Sequence, residues 1–327
     1  MRLITYQQDG QARLGAWIHG DADLVDLQHA AGLRGRETPA FASMQALIEA
    51  GPAALDTARA LADDPPDEAV MQTASVQLLP PVPRPVQMRD ALAFELHLRQ
   101  AKRASARMRL RDNPQAAQEM ARLEASGSFE PPAIWRKQPL YYKCNRFTVV
   151  GDGHDIRWPA YSKVLDYELE LGIFIGRGGR DIPATRARDH IFGYTVYNDV
   201  SARDAQADEM AGMLGPAKGK DFDTGNVIGP CIVTADEIPD PYRLEMVARV
   251  NGEEWSRGNS ATMAHRFEDI IAHISADETL HPGEFIGSGT VGNGCGFEFG
   301  RFPQAGDLVE LEIAQIGRLR NRFVRGG

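Results

Sequence analysis

The sequence contains few cysteines and no long apolar run. Its three cysteines, Cys144, Cys231 and Cys295, lie far apart without a C-x-x-C spacing, which argues against a disulfide framework and a structural zinc site. No stretch reaches the roughly 18 apolar residues of a membrane-spanning helix, and the opening MRLITYQQDG lacks the apolar segment of a secretory signal. We therefore expect a cytoplasmic protein without a membrane partner.

Positive charge is also in deficit. The chain has 36 Lys and Arg against 45 Asp and Glu, a formal net charge of −9, so nucleic acid is not an expected partner. A basic stripe with i+4 spacing runs along one predicted helix and comprises Arg99, Arg103, Arg107 and Arg111. We interpret it as a solvated or dimer-facing surface that could also steer anionic substrates.

Glycine, in contrast, is abundant. The 32 glycines are about 10% of the chain against a usual 7% or so, which favours short strands joined by tight turns. Residues 1–78 predict a small α+β domain, with alternating runs at Arg2–Tyr6 and Leu14–Ile18 and a helix over Phe41–Leu61. Four prolines then mark residues 79–89 as a stiff connector.

The rest of the chain predicts a larger, mostly β domain over residues 90–327. Helix-forming residues dominate at about 90–125, which indicates a helical lid, and an amphipathic helix is expected at His265–Ala276. The predicted fold class is therefore α+β, mainly β.

The strongest chemical signal is the run Val164–Ile175. It alternates with period two and places Asp166, Glu168 and Glu170 on one face of a strand. One interpretation is the solvated face of a half-buried strand. The other is a site for a hard divalent cation, because three neighbouring carboxylates repel one another and oxygen ligands suit Mg²⁺, Ca²⁺ or Mn²⁺.

Two further segments carry polar residues at suggestive spacings. Asp199, Arg203 and Gln206 follow a predicted strand at i, i+4 and i+7, where the alternative is an N-cap with a surface ion pair. Lys220 lies in a glycine-flanked loop, where most lysines are solvated. The G-x-G-x-x-G pattern at 287–292 leads into a predicted strand and not a helix, so we reject a dinucleotide site.

Several motifs occur together in one order. They are D-Y-E-L-E-L, N-D-V-S-A-R-D-A-Q, K-G-K-D-F-D-T, N-G-E and L-x-P-G-E-F-I-G-S-G-T. From about Val86 to the C-terminus the sequence thereby resembles the fumarylacetoacetate hydrolase family. The resemblance implies a C-terminal mixed β-roll, usually homodimeric, that holds a divalent cation and acts on a small 1,3-dicarbonyl or 2-oxo acid substrate.

The same resemblance implies a set of site residues. The metal ligands would be Asp90, Glu168, Glu170 and Asp199, with Asp166 a neighbour; the catalytic residues would be His97, Glu298 and Lys220; and Arg203, Gln206 and Thr290 would bind substrate. Leu92 and Met210 depart from the pattern, because they stand where the animal hydrolases of this family have tyrosines. An apolar wall at these positions predicts a substrate that is smaller or less polar at its far end.

These residues predict hydrolysis of a carbon–carbon bond in a fumarylacetoacetate-like or acylpyruvate-like 1,3-diketo acid. His97, oriented by Glu298 and carried on a mobile lid, would activate water, and Mg²⁺ is the favoured cation, with Ca²⁺ and Mn²⁺ as alternatives. A hydratase or decarboxylase acting on a 2-oxo acid is the alternative within the family. A non-catalytic β-roll that serves as a binding protein is the alternative of another class.

Overall fold

Strands dominate the chain, and most of them join one large sheet. The computed structural model describes residues 1–325. The strands are β1 Arg2–Gln8, β2 Gln11–Ile18, β3 Asp23–Asp26, β4 Val70–Gln72, β5 Gln77–Leu79, β6 Met88–Ala91, β7 Tyr141–Lys143, β8 Val149–Val150, β9 Ile156–Trp158, β10 Leu165–Asp166, β11 Leu169–Ile175, β12 Ile191–Asp199, β13 Ser201–Ala202, β14 Asn226–Thr234, β15 Glu245–Val250, β16 Glu253–Asn259, β17 Phe285–Gly287, β18 Leu308–Ile313 and β19 Gly317–Arg325.

The helices are short apart from α4. They are α1 Leu27–Leu33, α2 Met44–Ala50, α3 Pro52–Asp63, α4 Glu95–Leu110, α5 Ala116–Ala125, α6 Ala133–Lys137, α7 Ala184–Ala187, α8 Arg203–Ala211, α9 Phe267–Ser275 and α10 Gly296–Phe299. Single 3₁₀ turns occur at Pro39–Phe41, Asp67–Ala69, Thr73–Ser75, Arg188–His190, Ala235–Glu237, Pro241–Arg243 and Ser260–Thr262. None of the helices within the described residues has the length and apolar character needed to cross a bilayer.

The large sheet is mixed and has the strand order β4-β3-β2-β1-β14-β12-β11-β17-β6-β7, with β5 beside β1 and β8 beside β14. Most neighbours are antiparallel, whereas β17 runs parallel to β6 and β8 parallel to β14. A five-stranded sheet of order β16-β15-β18-β19-β9 packs against it, and β10 pairs with β13. These sheets and helices confirm the α+β, mainly β class.

Two buried apolar clusters fill the space on either side of the large sheet. One joins the strands to the five-stranded sheet and to α9, whose apolar face includes Phe267, Ile270 and Ile271. The other packs the N-terminal helices against Phe174 and Phe285. The strands of residues 1–78 therefore share a sheet and a core with the rest of the chain, since β1 pairs directly with β14. The domain division at 79–89 and the homodimer stay predictions.

Several local predictions are confirmed and others are wrong. The strands at Arg2–Tyr6 and Leu14–Ile18 and the helix at 265–276 are present as β1, β2 and α9. The helix predicted over Phe41–Leu61 is two helices, because Gly51 takes φ +76° and Pro52 starts a new helix there. The predicted strand Val164–Ile175 is interrupted between β10 and β11.

Candidate metal and catalytic site

The acidic run lies in the interior of the protein. Strand β11 has β12 on one side and β17 on the other, and all seven of its residues are buried. Asp166 and Glu170 are 0% exposed and Glu168 is 5% exposed. The interpretation of these carboxylates as the solvated face of a half-buried strand is therefore wrong, and each needs a partner inside the protein.

Asp90, Glu170 and Asp199 meet at one place. They lie on β6, β11 and the last residue of β12, which are close in the sheet although far apart in sequence. Each offers a carboxylate oxygen, and these three atoms lie within 4.8 Å of one another. Asp90 is thus on a strand, and the prediction of helical structure from residue 90 onwards is wrong at this position.

The backbone beside these carboxylates is adapted to hold them. The amide of Gly289 donates to Asp90 Oδ1 and to Glu170 Oε2, each at 3.0 Å. A Cβ at Gly287 would lie 2.5 Å from Asp90 Oδ1 and 3.0 Å from Glu170 Oε2. Glycine at this position therefore leaves room for the two carboxylates.

The electrostatics of this cluster favour a bound cation. Burial and the nearby charge of Asp199 raise the pKa of Asp90 to about 7. Burial and the charge of Asp90 likewise hold the pKa of Glu170 well above its usual range. Asp199 Oδ1 is buried without a hydrogen-bond partner among the described residues. Three crowded carboxylates with one open oxygen fit a hard divalent cation such as Mg²⁺, Mn²⁺ or Ca²⁺.

Glu168 has different partners from the other three predicted ligands. Its oxygens accept from Arg203 Nη1 at 2.7 Å and from Lys220 Nζ at 2.6 Å. Burial disfavours its ionised form, but the charges of Lys220 and Arg203 outweigh burial and hold the pKa of Glu168 far below normal. Its role as a fourth metal ligand stays a prediction.

Lys220 is buried, so the solvated-lysine interpretation is wrong. Its side chain is 4% exposed, and Nζ donates to Asp199 Oδ2 at 2.5 Å as well as to Glu168. Burial alone would lower the pKa of Lys220, but the charges of Asp199 and Glu168 raise it above normal, so the amine is positively charged. Tyr142 completes this group by donating to Asp199 Oδ2 at 2.6 Å.

His97 and Glu298 form a buried pair beside the acidic cluster. His97 lies in the first turn of α4 and Glu298 on α10, and Nδ1 of the histidine is 2.9 Å from Glu298 Oε1. The other oxygen of Glu298 accepts from the amide of Cys295 at 3.2 Å. Because Nδ1 faces Glu298, Nε2 of the ring is left to accept a proton from another group.

Asp166 connects the acidic strand to the segment that carries Glu298. It accepts from the amides of Gly296 and Phe297 at 2.9 Å each, at the start of α10. It also accepts from Arg203 Nε at 2.9 Å and Nη2 at 2.6 Å. One carboxylate thereby fixes both the guanidinium and the short helix of the dyad.

Of the remaining predicted residues, Gln206 and Thr290 contact members of this site. Gln206 Oε1 accepts from Arg203 Nη1 at 3.1 Å, and Thr290 Oγ1 is 3.4 Å from Glu170 Oε1. Leu92 is half-buried, whereas Met210 is 55% exposed.

The basic stripe on α4 is engaged in ion pairs with neighbouring acids. Arg99 pairs with Glu95 and Glu130, and Arg103 pairs with Glu124. These partners neutralise much of the stripe, which weakens its predicted role in steering anions.

Three groups that contact the site residues had no clear signal in the sequence. Tyr142 stands outside the quoted motifs, the amide of Gly289 is a backbone group, and the sequence assigns Cys295 no role in the site. The contact of Cys295 with the dyad follows from the turn into α10, which only the fold reveals.

Comparisons with known proteins find similar sequences and similar folds. The model of the fumarylacetoacetate (FAA) hydrolase C-terminal family matches residues 108–324, a span that leaves out Asp90 and His97. The human mitochondrial oxaloacetate tautomerase FAHD2A is 38% identical over 189 residues, 58% of this chain and 60% of that protein. The chain thus matches about three fifths of that relative's length.

Solved structures share the fold over the whole chain. The fumarylacetoacetate hydrolase of psychrophilic Exiguobacterium antarcticum is 26% identical with a TM-score of 0.73, covering 100% of both chains. The maleylpyruvate hydrolase of Sphingobium sp. SYK-6, in complex with manganese(II) and pyruvate, is 24% identical with a TM-score of 0.72, again covering 100% of both chains.

Proposed function

Since this chain belongs to the fumarylacetoacetate hydrolase family, we propose that it is a metal-dependent hydrolase of a carbon–carbon bond in a 1,3-diketo acid. The observation that carries the proposal is the buried His97–Glu298 pair beside the cluster of Asp90, Glu170 and Asp199. Hydrolysis needs a general base for water, and tautomerisation and decarboxylation do not consume water. The pair of His97 and Glu298 supplies such a base and so supports hydrolysis, although the tautomerase considered below would also use a base.

His97 has the geometry of a general base. Its Nε2 takes the proton from the attacking water while Glu298 accepts the hydrogen bond from Nδ1 and stabilises the charged ring. The water oxygen adds to the carbonyl carbon, the bond to the neighbouring carbon breaks, and its electron pair leaves in an enolate. That enolate finally takes up the proton held by His97.

We assign Lys220 and Gln206 to substrate oxygens. Lys220 would act through its positive charge, because its Nζ already donates to Glu168 and Asp199, whereas Gln206 would donate through its amide nitrogen while its oxygen accepts from Arg203. Arg203 has Nε, Nη1 and Nη2 engaged with Asp166, Glu168 and Gln206. We therefore assign Arg203 to ordering these side chains.

Asp90, Glu170 and Asp199 would hold the cation, for which we propose Mg²⁺. Such an ion would supply positive charge for substrate oxygens and for the departing enolate. Leu92 and Met210 lie near the substrate's far end in this proposal, and neither can pair with a second carboxylate. A short acylpyruvate is therefore the expected substrate class.

A tautomerase acting on a 2-oxo diacid is the second candidate. The observation in its favour is the 38% identity to a protein named oxaloacetate tautomerase. Tautomerisation moves a proton between carbon and oxygen and needs an acid and a base but no water. The two candidates therefore differ in whether a carbon–carbon bond is cleaved.

The test compares the wild-type protein with the His97→Ala variant on a panel of substrates. The purified protein with saturating Mg²⁺ is given short acylpyruvates, fumarylacetoacetate and the enol form of oxaloacetate, and products are identified by NMR. We expect cleavage of the acylpyruvates, a higher kcat/KM for them than for fumarylacetoacetate, and loss of turnover with a chelator. His97→Ala should lower kcat by about 100-fold or more.

His29→Ala is the matched control, because His29 is an exposed histidine on another helix, α1. It should retain the wild-type rate. Cleavage that is unchanged in His97→Ala would contradict the assignment of the base. Conversion of enol oxaloacetate without cleavage of any dioxo acid would replace the hydrolase proposal with the tautomerase.

A further inference from the structure

Cys295 lies against the dyad but has no part in the proposed reaction. One ring nitrogen of His97, Sγ of Cys295 and one oxygen of Glu298 lie within 4.8 Å of one another. All three residues are buried, with exposures of 7%, 0% and 5%. A nitrogen, a sulfur and an oxygen ligand thus converge on a second point, separate from the three carboxylates of Asp90, Glu170 and Asp199.

The two groups of ligands differ in chemical character. The carboxylate cluster offers only oxygen and suits hard cations, whereas imidazole, thiolate and carboxylate together suit Zn²⁺ and neighbouring transition metals. The thiolate is the form that binds metal, and burial and the charge of Glu298 keep the pKa of Cys295 well above normal. The thiol therefore keeps its proton until a metal binds, and a dication at this point would have to displace that proton.

The charge balance suits a buried position. Neutral imidazole, thiolate, carboxylate and Zn²⁺ sum to zero, and one proton leaves the thiol when the metal binds. A neutral assembly costs far less to bury than an isolated charge.

The distance between His97 and Glu298 requires only a small adjustment. Ligand atoms of a tetrahedral zinc site stand about 3.4 Å apart when each is about 2.1 Å from the metal. His97 Nδ1 and Glu298 Oε1 are 2.9 Å apart, so they would separate by roughly 0.5 Å to reach that spacing. Water fills the fourth position, as it does in zinc sites with three protein ligands.

We propose that His97, Cys295 and Glu298 form a second metal site, selective for Zn²⁺ and similar transition-metal cations, that inhibits the enzyme when it is filled. A histidine and a glutamate bound to zinc no longer take the proton from water, so filling the site removes the general base. Metal binding at this site stands independently of the reaction. The inhibition rests on the proposed hydrolase function.

The first test uses Co²⁺ as a visible probe. The full-length protein is saturated with Mg²⁺ to fill the carboxylate cluster, and Co²⁺ is then titrated while sulfur-to-cobalt charge-transfer absorption is recorded. We expect a band that saturates at one cobalt per chain and disappears in Cys295→Ser. Cys144→Ser is the matched control, since Cys144 is also a buried free thiol, and it should keep the band.

The second test measures zinc inhibition at saturating Mg²⁺, with each variant compared with its own zinc-free rate. Cys295→Ser should need at least about tenfold more zinc than wild type for half inhibition, because it loses the thiolate ligand. Cys295→Ala serves if the serine variant does not fold, as judged by thermal unfolding. His97→Ala should weaken cobalt binding by a similar factor, a result that needs no activity.

The outcomes separate the two proposals. Absence of the charge-transfer band in wild type, or its persistence in Cys295→Ser, would overturn the second site. Equal zinc inhibition of Cys295→Ser and wild type would place the inhibitory zinc at another site and overturn the inhibitory role. A cobalt band that depends on Cys295, in a protein that cleaves no dioxo acid, would support the site and count against the hydrolase.

Discussion

Removing the buried guanidinium of Arg203 should destabilise the protein much more than removing a surface arginine. The Arg203 side chain is 3% exposed and pairs with Asp166, which is 0% exposed, and with Glu168, which is 7% exposed. Arg203→Met leaves both carboxylates without this partner, and breaking a buried ion pair from one side costs about 3–5 kcal/mol. Asp166 keeps the amides of Gly296 and Phe297 and Glu168 keeps Lys220, so we expect the lower end, about 3 kcal/mol.

Arg103→Met is the matched control. Arg103 also pairs with a carboxylate, that of Glu124, but the two side chains are 38% and 54% exposed. Exposed pairs contribute about 0–1 kcal/mol. The assay is urea unfolding followed by tryptophan fluorescence, at saturating Mg²⁺ and again with a chelator, with the apparent free energy of unfolding compared between variants.

A double variant sharpens the test. Adding Asp166→Asn to Arg203→Met removes one of the two unpaired carboxylate charges. The free energy of unfolding should therefore fall by less in the double variant than the sum of the falls in the two single variants, by about 1 kcal/mol or more. If Arg203→Met lowers the free energy of unfolding by less than about 1 kcal/mol, as Arg103→Met should, then Arg203 and its carboxylates do not behave as a buried ion pair, and the reasoning is refuted.

Two further predictions concern other contacts. Asp166→Asn should lower kcat by about 10–100-fold while KM and Mg²⁺ affinity change little, because it loosens the turn that carries Glu298; an equal loss of Mg²⁺ affinity, measured by calorimetry, would argue for a ligand role. Gly172→Ala should cost about 1–3 kcal/mol, since its Cβ would lie 2.5 Å from the ring of Phe285. Gly32→Ala, with 3.7 Å to its nearest neighbour, should be neutral or stabilising in thermal unfolding.

Local patterns in the sequence were sufficient to predict many elements. The alternating runs of β1, β2 and β11 and the apolar face of α9 depend on neighbours a few residues away, and these elements formed as predicted. The points at which the predicted helix and strand are interrupted were not predicted. Gly51 and Pro52 divide the predicted helix. The predicted strand is interrupted between β10 and β11, where Glu168 forms an isolated bridge with Cys295.

Burial was the property that the sequence did not reveal. Alternation alone does not distinguish a strand at the edge of a sheet from one in its centre, so the acidic face of β11 could be solvated or enclosed. Lys220 was equally ambiguous, because a lysine in a glycine-flanked loop is usually exposed. Its enclosure depends on Asp199 and Glu168, which approach it only after β11 and β12 pair.

The sequence does not show contacts made by the backbone or between distant segments. The family resemblance implies Asp90 as a neighbour of Glu170, but the amide of Gly289 that both carboxylates share follows from the path of the chain after β17. The role of Asp166 in joining Arg203 to the start of α10 likewise requires the approach of residues 296–297.

The site closes only when residues 90–97 meet residues 289–298. Asp90 and the amide of Gly289 are 199 residues apart, and His97 and Glu298 are 201 apart. At about 5–20 residues per second, a ribosome needs on the order of 10–40 s to make the intervening chain. During this time the partners of Asp90 and His97 have not yet been made. The entropy cost of closing so long a loop must also be met before the contacts can stabilise the fold. Catalytic competence should therefore be among the last properties that a newly made chain acquires.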